Sequence, residues 1–233
     1  MKPRTPGFWL IVATVGLLAL LPMQALAGMT PEEVKVFEGY KAKAETGDRV
    51  AQFNLGLCYA NGEGVARDFV QAVSWYRKAA EQGYAEAQVQ LGYCYARYNQ
   101  GVTRRDEVEA MSWYRKAAEQ GLANAQFILG NCYANGEGVA KDQVQAMSWY
   151  RKAAEQGLAN AQYILANGYY NGEGVAKDEI EAYAYYNLAG MTYKDARKNL
   201  AILEKKISRD GIASGQQRTK QLQKEIEAKQ AGK

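Results

Sequence analysis

The residue types that carry out most enzyme chemistry are sparse in this sequence. Its 233 residues include no histidine, which excludes Ser-His-Asp and Cys-His nucleophiles and the usual zinc sites. Gly-Glu-Gly turns at Gly62, Gly136 and Gly172 look like nucleotide-binding loops, but they lack a P-loop lysine and the Rossmann spacing. The sequence therefore predicts a protein that is not an enzyme, with no catalytic residues, no cofactor and no metal site.

Three cysteines are the remaining candidates for metal or redox chemistry. Cys58, Cys94 and Cys132 follow one another at intervals of 36 and 38 residues, and no CxxC pair or nearby histidine accompanies them. Similar intervals separate other residues of the chain, so the cysteines occupy one position in successive repeats. Equivalent positions in stacked helix pairs lie about 10 Å apart, whereas a disulfide tolerates about 7 Å between Cα atoms. The three are predicted to be small packed side chains that form no disulfide.

The carboxylates could act as acids or bases, but their positions suggest a structural role. Asp68, Asp106, Asp142 and Asp178 are each followed three residues later by Gln or Glu, which is the pattern of a capping box at the start of a helix. Glu81, Glu119 and Glu155 fall on faces that are predicted to be solvated.

The elements that position these residues form a repeat. Tryptophans at 75, 113 and 149 lie in three nearly identical segments that begin AVSWYRKAAEQG or AMSWYRKAAEQG. Similar steps of 36 to 38 residues separate four further ladders: Gln52, Gln88, Gln126, Gln162; Leu55, Leu91, Leu129, Leu165; Tyr59, Tyr95, Tyr133, Tyr169; and Gly64, Gly101, Gly138, Gly174. The unit is 36 residues, and the two extra residues of the second unit fall in its turn, NQGVTRRD.

Each unit reads as helix, turn, helix. Residues such as Ala51, Leu55 and Tyr59 share one helical face, glycines break the chain after it, and the aspartates open the second helix. The predicted organisation is an all-α solenoid of about four repeats of 36–38 residues with capping helices. Its segments are residues 28–47 (N-terminal capping helix), 48–83, 84–121, 122–157 and 158–190 (repeats one to four, the fourth divergent), and 191–233 (C-terminal capping helices and a frayed tail).

A leader precedes the repeats. Lys2 and Arg4 are followed by an apolar run and by Ala25-Leu26-Ala27, which predicts a cleavable signal peptide over residues 1–27 and a mature chain that starts near Gly28. A retained anchor is the less favoured interpretation. The expected location is the periplasm, or the outside of the cell if the protein is secreted. Without the leader, 27 basic residues face 25 acidic ones, so we expect neither a nucleic-acid partner nor insertion into a membrane.

The motif AQxxLGxxYxxGxGVxxDxxxAxxWYxKAAxQG, nearly intact in two to three units, resembles the Sel-one-like repeat family, which is related to the tetratricopeptide repeats. The resemblance covers about residues 38–190. It implies a right-handed superhelix with the first helix of each pair on the concave side, and an adaptor or regulator that binds another protein or peptide. In the cysteine-rich branch, paired cysteines staple each repeat and β-lactam binding or hydrolysis has been proposed. The second cysteine of each pair is missing here, which puts that alternative, a cell-envelope hydrolase or β-lactam-binding protein, in doubt.

The tetratricopeptide register also implies which residues line the concave surface. The candidate partner-binding residues are Phe53, Leu57, Val89, Tyr93, Arg97, Phe127, Asn131, Asn135, Tyr163, Asn167, Tyr170 and Asn171, with Ala60, Asn61, Ala96 and Ala134 between them. The first two units offer an apolar and aromatic strip, and the last two offer a ladder of asparagines that could pair with the backbone of an extended peptide. Alternatively, the asparagines only solvate this face or cap helix ends.

Overall fold

The computed structural model describes residues 29–97 and 106–232. Within them the chain forms helices and no strands. The helices are α1 (Pro31–Glu45), α2 (Arg49–Asn61), α3 (Phe69–Glu81), α4 (Ala85–Ala96), α5 (Glu107–Glu119), α6 (Ala123–Asn135), α7 (Gln143–Ala154), α8 (Ala159–Asn171), α9 (Glu179–Gly190), α10 (Lys194–Glu204) and α11 (Arg209–Ala231). The predicted leader and the two-residue insertion around Gly101 lie outside the described residues.

Consecutive helices pack against each other, and the chain is an α/α solenoid, as predicted. We call α2, α4, α6 and α8 the A helices and α3, α5, α7 and α9 the B helices, so that each repeat is one A helix followed by one B helix. No helix in residues 29–97 or 106–232 is long and apolar enough to cross a bilayer.

The helix boundaries follow from the residues that mark them. Asp68, Asp106, Asp142 and Asp178 each accept a hydrogen bond from the backbone N–H three residues on, at 2.9–3.0 Å. These bonds satisfy donors that have no partner inside the helix. At the other end of three A helices, Gly62, Gly136 and Gly172 adopt left-handed φ angles of 78–81°, which a residue with a side chain rarely accepts.

Within a repeat the A and B helices approach closely because a glycine faces a tyrosine ring. A Cβ added to Gly56 would lie 2.6 Å from the ring of Tyr76, and one added to Gly130 would lie 2.6 Å from Tyr150. Gly92 meets Tyr114 in the same way. The small residue therefore sets how near the backbones can come, and the tyrosine fills the interface with a large apolar ring.

A buried glutamine in each A helix links the layers. The Gln126 amide donates to the carbonyl of Ala118, at the end of the preceding B helix, at 3.2 Å, and its oxygen accepts from Gln156, at the end of its own B helix, at 2.8 Å. Gln52 and Gln88 repeat both bonds, and Gln162 repeats the bond to the preceding helix. All four glutamines are 4–6% exposed, so these bonds join three helix ends in the protein interior.

A second set of bonds connects the B helices of the first three repeats to the A helix that follows each of them. Arg77 donates to the hydroxyl of Tyr95 at 2.9 Å, and the pairs Arg115–Tyr133 and Arg151–Tyr169 repeat it at 2.8 and 2.7 Å. The tyrosine ladder found in the sequence is thus an inter-repeat contact.

The last repeat differs because α11 covers it. Gly215 packs on the ring of Tyr183, and Arg218 forms an ion pair with Glu181 at 2.6 Å. The fourth B helix, α9, is buried along almost its whole length, including Tyr185 and Tyr186 at 3% and 1% exposure. The fourth repeat, predicted to be divergent, therefore departs from the motif in the helix on which both α10 and α11 pack.

The C-terminal tail was predicted to fray, but α11 is helical to Ala231. Lys229 pairs with Glu155 at 2.6 Å and Gln230 donates to the carbonyl of Gln156 at 3.2 Å. These contacts with the end of α7 hold the last turns of α11.

Replacing Gln126 with alanine should lower the free energy of unfolding by about 2 kcal/mol, because the Ala118 carbonyl and the Gln156 amide both lose a buried partner. Chemical denaturation monitored by circular dichroism measures this change. The matched control is Gln221→Ala in the exposed face of α11, which should change stability by less than about 0.5 kcal/mol. Equal effects of the two substitutions would contradict the structural role of the glutamine.

Candidate partner-binding surface

Three hollows follow one another along the described part of the array, the first between α1 and α2 and each of the others between a B helix and the two A helices beside it. The first hollow, about 350 Å³, lies between α1 and α2 and includes Val36, Tyr40, Leu57 and Glu63. The second, about 370 Å³, lies between α2, α3 and α4 and includes Phe69, Tyr76, Tyr93 and Arg97. The third, about 270 Å³, lies between α4, α5 and α6 and includes Tyr93, Arg97, Tyr114 and Asn131. Together they form a row of concave sites of the size that takes a side chain of a partner.

Tyr93 and Arg97 form the ridge between the second and third hollows. They lie four residues apart on α4 and its C-cap, so they share one face. Tyr93 is 40% exposed, and its ring meets the edge of Tyr114 with 5.5 Å between ring centroids. Arg97 is exposed. A tyrosine and an arginine side by side can hold an apolar side chain and a carboxylate of a bound protein segment.

The charge of the row changes from hollow to hollow. Glu32 and Glu63 border the first hollow. Among the described residues that line the second hollow, the charged one is Arg97. In the third, Arg97 stands across from Glu107 and Glu137. The second hollow is therefore the part of the row that best suits an acidic group.

Part of the predicted surface belongs to the scaffold. Phe53, Phe127 and Tyr163 occupy one repeat position and pack on Tyr76, Tyr150 and Tyr186, with ring centroids 5.9, 5.6 and 6.2 Å apart. Val89, at the same position in the second repeat, is only 7% exposed and joins the core with Ala110 and Leu129. The structure thus places Val89 in the core and not on the predicted surface, and the three rings are half-buried.

The asparagine ladder divides into two groups. The side-chain oxygens of Asn131 and Asn167 accept from the hydroxyls of Tyr150 and Tyr186 at 2.7 and 2.6 Å. Asn167 also accepts from Asn199 of α10 at 3.3 Å. These two asparagines therefore help to bind the A helix to the B helix of their own repeat. For a partner, they can supply hydrogen-bond donors through their side-chain N–H groups.

The other members of the ladder lie at the ends of A helices. Asn135 donates to Glu137 at 3.1 Å, as Asn61 does to Glu63 at 2.9 Å. Asn171 is exposed. Tyr170 accepts a hydrogen bond from Lys206, so the segment after α10 reaches over the C-terminal end of the candidate surface.

The B helices also line the hollows, although the residues predicted to form this surface all belong to the A helices. Phe69 and Tyr76 form a wall of the second hollow, and Glu107 and Tyr114 form a wall of the third. One signal was present in the sequence: the residue directly after the capping aspartate varies between units, as Phe69, Glu107, Gln143 and Glu179.

The three cysteines lie one at each hollow, and no disulfide joins them. Burial raises the pKa of Cys94 and of Cys132 to about 11, and burial also raises the pKa of Cys58. The thiols are therefore protonated at neutral pH, and a protonated thiol is a poor nucleophile and metal ligand. In the described part of the chain, no cluster of His, Cys, Asp or Glu is arranged to hold a metal ion.

Comparison with known sequences identifies the repeat. The family described as Sel1 repeat matches four consecutive segments, residues 49–84, 85–122, 123–158 and 159–191. No match was found among curated proteins.

Solved structures include similar chains. A Sel1 repeat protein from Oxalobacter formigenes is 39% identical, with a TM-score of 0.62, and the match covers 68% of this chain and 64% of that one. A protective antigen with an SLR fold, c5321 from uropathogenic Escherichia coli, is 28% identical over 86% of this chain and 60% of its own, with a TM-score of 0.43. Helicobacter pylori cysteine rich protein B is 27% identical over 57% of this chain and 96% of its own, with a TM-score of 0.45. The chain spans less than two thirds of the length of the first two structures.

The cysteine environment predicts slow thiol chemistry. At pH 8 the native protein should react with an uncharged alkylating reagent about tenfold or more slowly than the unfolded protein, in which all three thiols react. Mass spectrometry of the alkylated protein measures this difference.

The raised pKa values of the cysteines should also make the free energy of unfolding depend on pH, between about pH 9 and pH 11. The pKa of Cys94 and Cys132 rises from an ordinary 9.0 to about 11 on folding, so the associated stabilisation is present below pH 9.0 and is lost as the pH rises through about 11. Replacing both cysteines with alanine should flatten this part of the pH profile. In the alkylation experiment, a native thiol that reacts as fast as the unfolded one would contradict the burial of the cysteines.

Proposed function

Because this chain belongs to the Sel1 repeat family, whose members are generally protein-interaction scaffolds, we propose that it is an exported adaptor or regulator that binds a segment of a partner protein. The binding site consists of the second and third hollows of the row, with Tyr93 and Arg97 at its centre.

The observation that carries this proposal is the exposure of Tyr93 at a position that the scaffold uses elsewhere. The equivalent residues Asn131 and Asn167 are bonded to tyrosines of their own repeats. Tyr93 contacts the tyrosine of its own repeat, Tyr114, through its ring, yet it stays 40% exposed between two concave sites. A large amphipathic side chain that is half-buried at its base and open at its tip is typical of the residues that dominate binding energy in protein interfaces.

The chemistry of the ridge favours an extended segment that carries a carboxylate beside an apolar or aromatic residue. The guanidinium of Arg97 can bind a carboxylate through two parallel hydrogen bonds. Apolar neighbours of that carboxylate would enter the second hollow, against Phe69 and Tyr76. The carboxylates at Glu107 and Glu137 would disfavour a second acidic group in the third hollow.

Export would bring this surface to partners outside the cytoplasm. The proposal that the protein is exported rests on the leader, with its basic start, apolar run and Ala25-Leu26-Ala27 site. Sequencing the N-terminus of the protein from fractionated cells tests it: Gly28 at the N-terminus, in the periplasm or the medium, is the expected result, and an intact leader in the cytoplasm would contradict export.

The alternative, a hydrolase or β-lactam-binding protein of the cell envelope, has no observation in its favour. The thiols are protonated, and burial raises the pKa of Tyr76 and Tyr114, which wall the hollows. None of these groups is prepared to act as a nucleophile at neutral pH.

Substitution at the ridge should discriminate between peptide partners. We expect fluorescently labelled extended peptides that contain Asp or Glu next to an aromatic residue to bind more tightly than peptides with Lys in that place. Arg97→Glu should weaken that binding about tenfold or more, because it replaces attraction to the carboxylate by repulsion. Tyr93→Ser should weaken it comparably through the loss of ring contacts. Fluorescence anisotropy measures the affinities.

Arg209→Glu is the matched control, because Arg209 is exposed at the start of α11, away from the hollows. It should leave the affinity unchanged, and thermal melts should show that all three variants remain folded. If Arg97→Glu and Arg209→Glu bind the acidic peptides equally well, the ridge is not the binding site.

A further inference from the structure

The two ends of the array carry complementary half-interfaces. In each of the four repeats a B helix is covered by the A helix that precedes it. The first helix, α1, has B-type residues, yet no A helix precedes it within the described residues. The helix α10 packs on α9 as an A helix packs on the B helix before it, yet the helix after it does not pack on α10 as a B helix does.

The match of α1 to a B helix rests on two residues and on the hydrogen bond to α2. Tyr40 and Ala44 stand where α3 has Tyr76 and Ala80, and Ala44 accepts from Gln52 as Ala80 accepts from Gln88. The face that an A helix would cover is open. Val36, which aligns with the fully buried Ala72, is 45% exposed, and the ring of Tyr40 is only half-buried.

The match of α10 to an A helix rests on its first turn and its register. The ring of Tyr193, its N-cap, lies 5.0 Å from Tyr163, just as Tyr84, the N-cap of α4, lies 5.2 Å from Phe53. Counting from these N-caps places the exposed Ala201 at the position of Ala166, and hence of the glycines that face tyrosine rings in the other repeats. Ile202, next to it, is 43% exposed.

The place of a following B helix is left open because α11 goes elsewhere. It packs on α9 through Gly215 and Arg218 and reaches back to the end of α7 through Lys229. Its contacts therefore cover the last repeat and leave the outer face of α10 uncovered, as the exposure of Ala201 and Ile202 records.

We propose that α1 of one copy of this chain packs against α10 of another copy, continuing the interface between A and B helices from molecule to molecule. In that register the ring of Tyr40 lies on Ala201, as Tyr76 lies on Gly56. Lys205 and Glu33 occupy the positions of Ala60 and Phe69, which line one hollow together. The contact therefore brings a lysine near the exposed carboxylate of Glu33, which also accepts from Thr30 in the capping box of α1.

The contact is weaker than the internal one. Lys43 stands where α3 has the fully buried Ala79, and a lysine there keeps water at the interface. The assembly is also head-to-tail, because the two surfaces differ, so further copies can add at both ends. Reversible, concentration-dependent chains follow from this arrangement.

Cysteine cross-linking tests the proposal with the full chain. One variant carries Val36→Cys with Cys58→Ala, because Cys58 lines the same hollow as Val36, and a second carries Ala201→Cys; the other native cysteines stay in place because they are buried. The two variants are mixed under mild oxidation, and disulfide-linked dimers are measured by non-reducing electrophoresis and mass spectrometry. We expect the mixed dimer to form about tenfold or more faster than dimers of either variant alone.

The matched control mixes Val36→Cys with Val144→Cys, since Val144 is 64% exposed but lies at the start of α7, away from both ends. Mixed dimers that form no faster than in this control would overturn the proposal, as would dominance of Val36→Cys homodimers. Coverage of α1 by residues that precede it would give the same negative result.

Sedimentation velocity provides a second measurement. The sedimentation coefficient of the unmodified chain should rise with protein concentration, and Ile202→Asp should abolish the rise by placing a charge in the contact. Val144→Asp, equally exposed and distant, should preserve it, and circular dichroism should show both variants folded. A coefficient that is independent of concentration in the unmodified chain would overturn the proposal.

Discussion

One buried glutamine per repeat holds the array together. It places a polar group where apolar contacts dominate, and in the first three repeats the cost of burying that group is offset because its amide and its oxygen both find partners. The carbonyl that it satisfies lies at the end of the preceding B helix, and the amide that it accepts from lies at the end of its own B helix, as at Ala118 and Gln156 around Gln126. The distance between layers and the register of each A helix follow from this geometry, since a shift of one residue would leave several buried groups without partners.

Once the layers are held at that spacing, the other repeat positions have defined roles. Glycine or alanine must face the tyrosine of the B helix, because the backbones approach too closely for a larger side chain. Arginines of the B helices then donate hydrogen bonds to the ladder tyrosine of the A helix that follows. What remains free to vary is the face of the A helix beside the hollows. Within that face, Tyr93 and Arg97 are exposed, whereas Asn131 and Asn167 have been drawn into the bonding of their own repeats.

The ends show what happens when a repeat has no further copy of itself to pack on. At the C-terminus, α11 folds over α9, and two positions that the preceding B helix exposes, Ser148 and Lys152, are taken in α9 by Ala184 and Leu188, which are buried. At the N-terminus, α1 keeps the residues that contact α2 but replaces buried alanines by Val36 and Lys43 on its outer face. The departures from the motif thus mark changes in neighbours.

The sequence by itself determined the all-helical solenoid, the repeat ladders and the aspartate caps, because these depend on residues within one unit or on an exact periodicity along the chain. The tertiary structure decided which A-helix residues are available to a partner. Val89 is buried while Tyr93 is exposed, although both were predicted to line one surface, because burial depends on what the adjacent helices place against each position. The same reason explains the asparagines, whose hydrogen-bond partners lie 19 residues away on another helix, and the path of α11, which depends on contacts with α7 and α9. Periodicity reports the face of a helix, but only packing reports whether that face is covered.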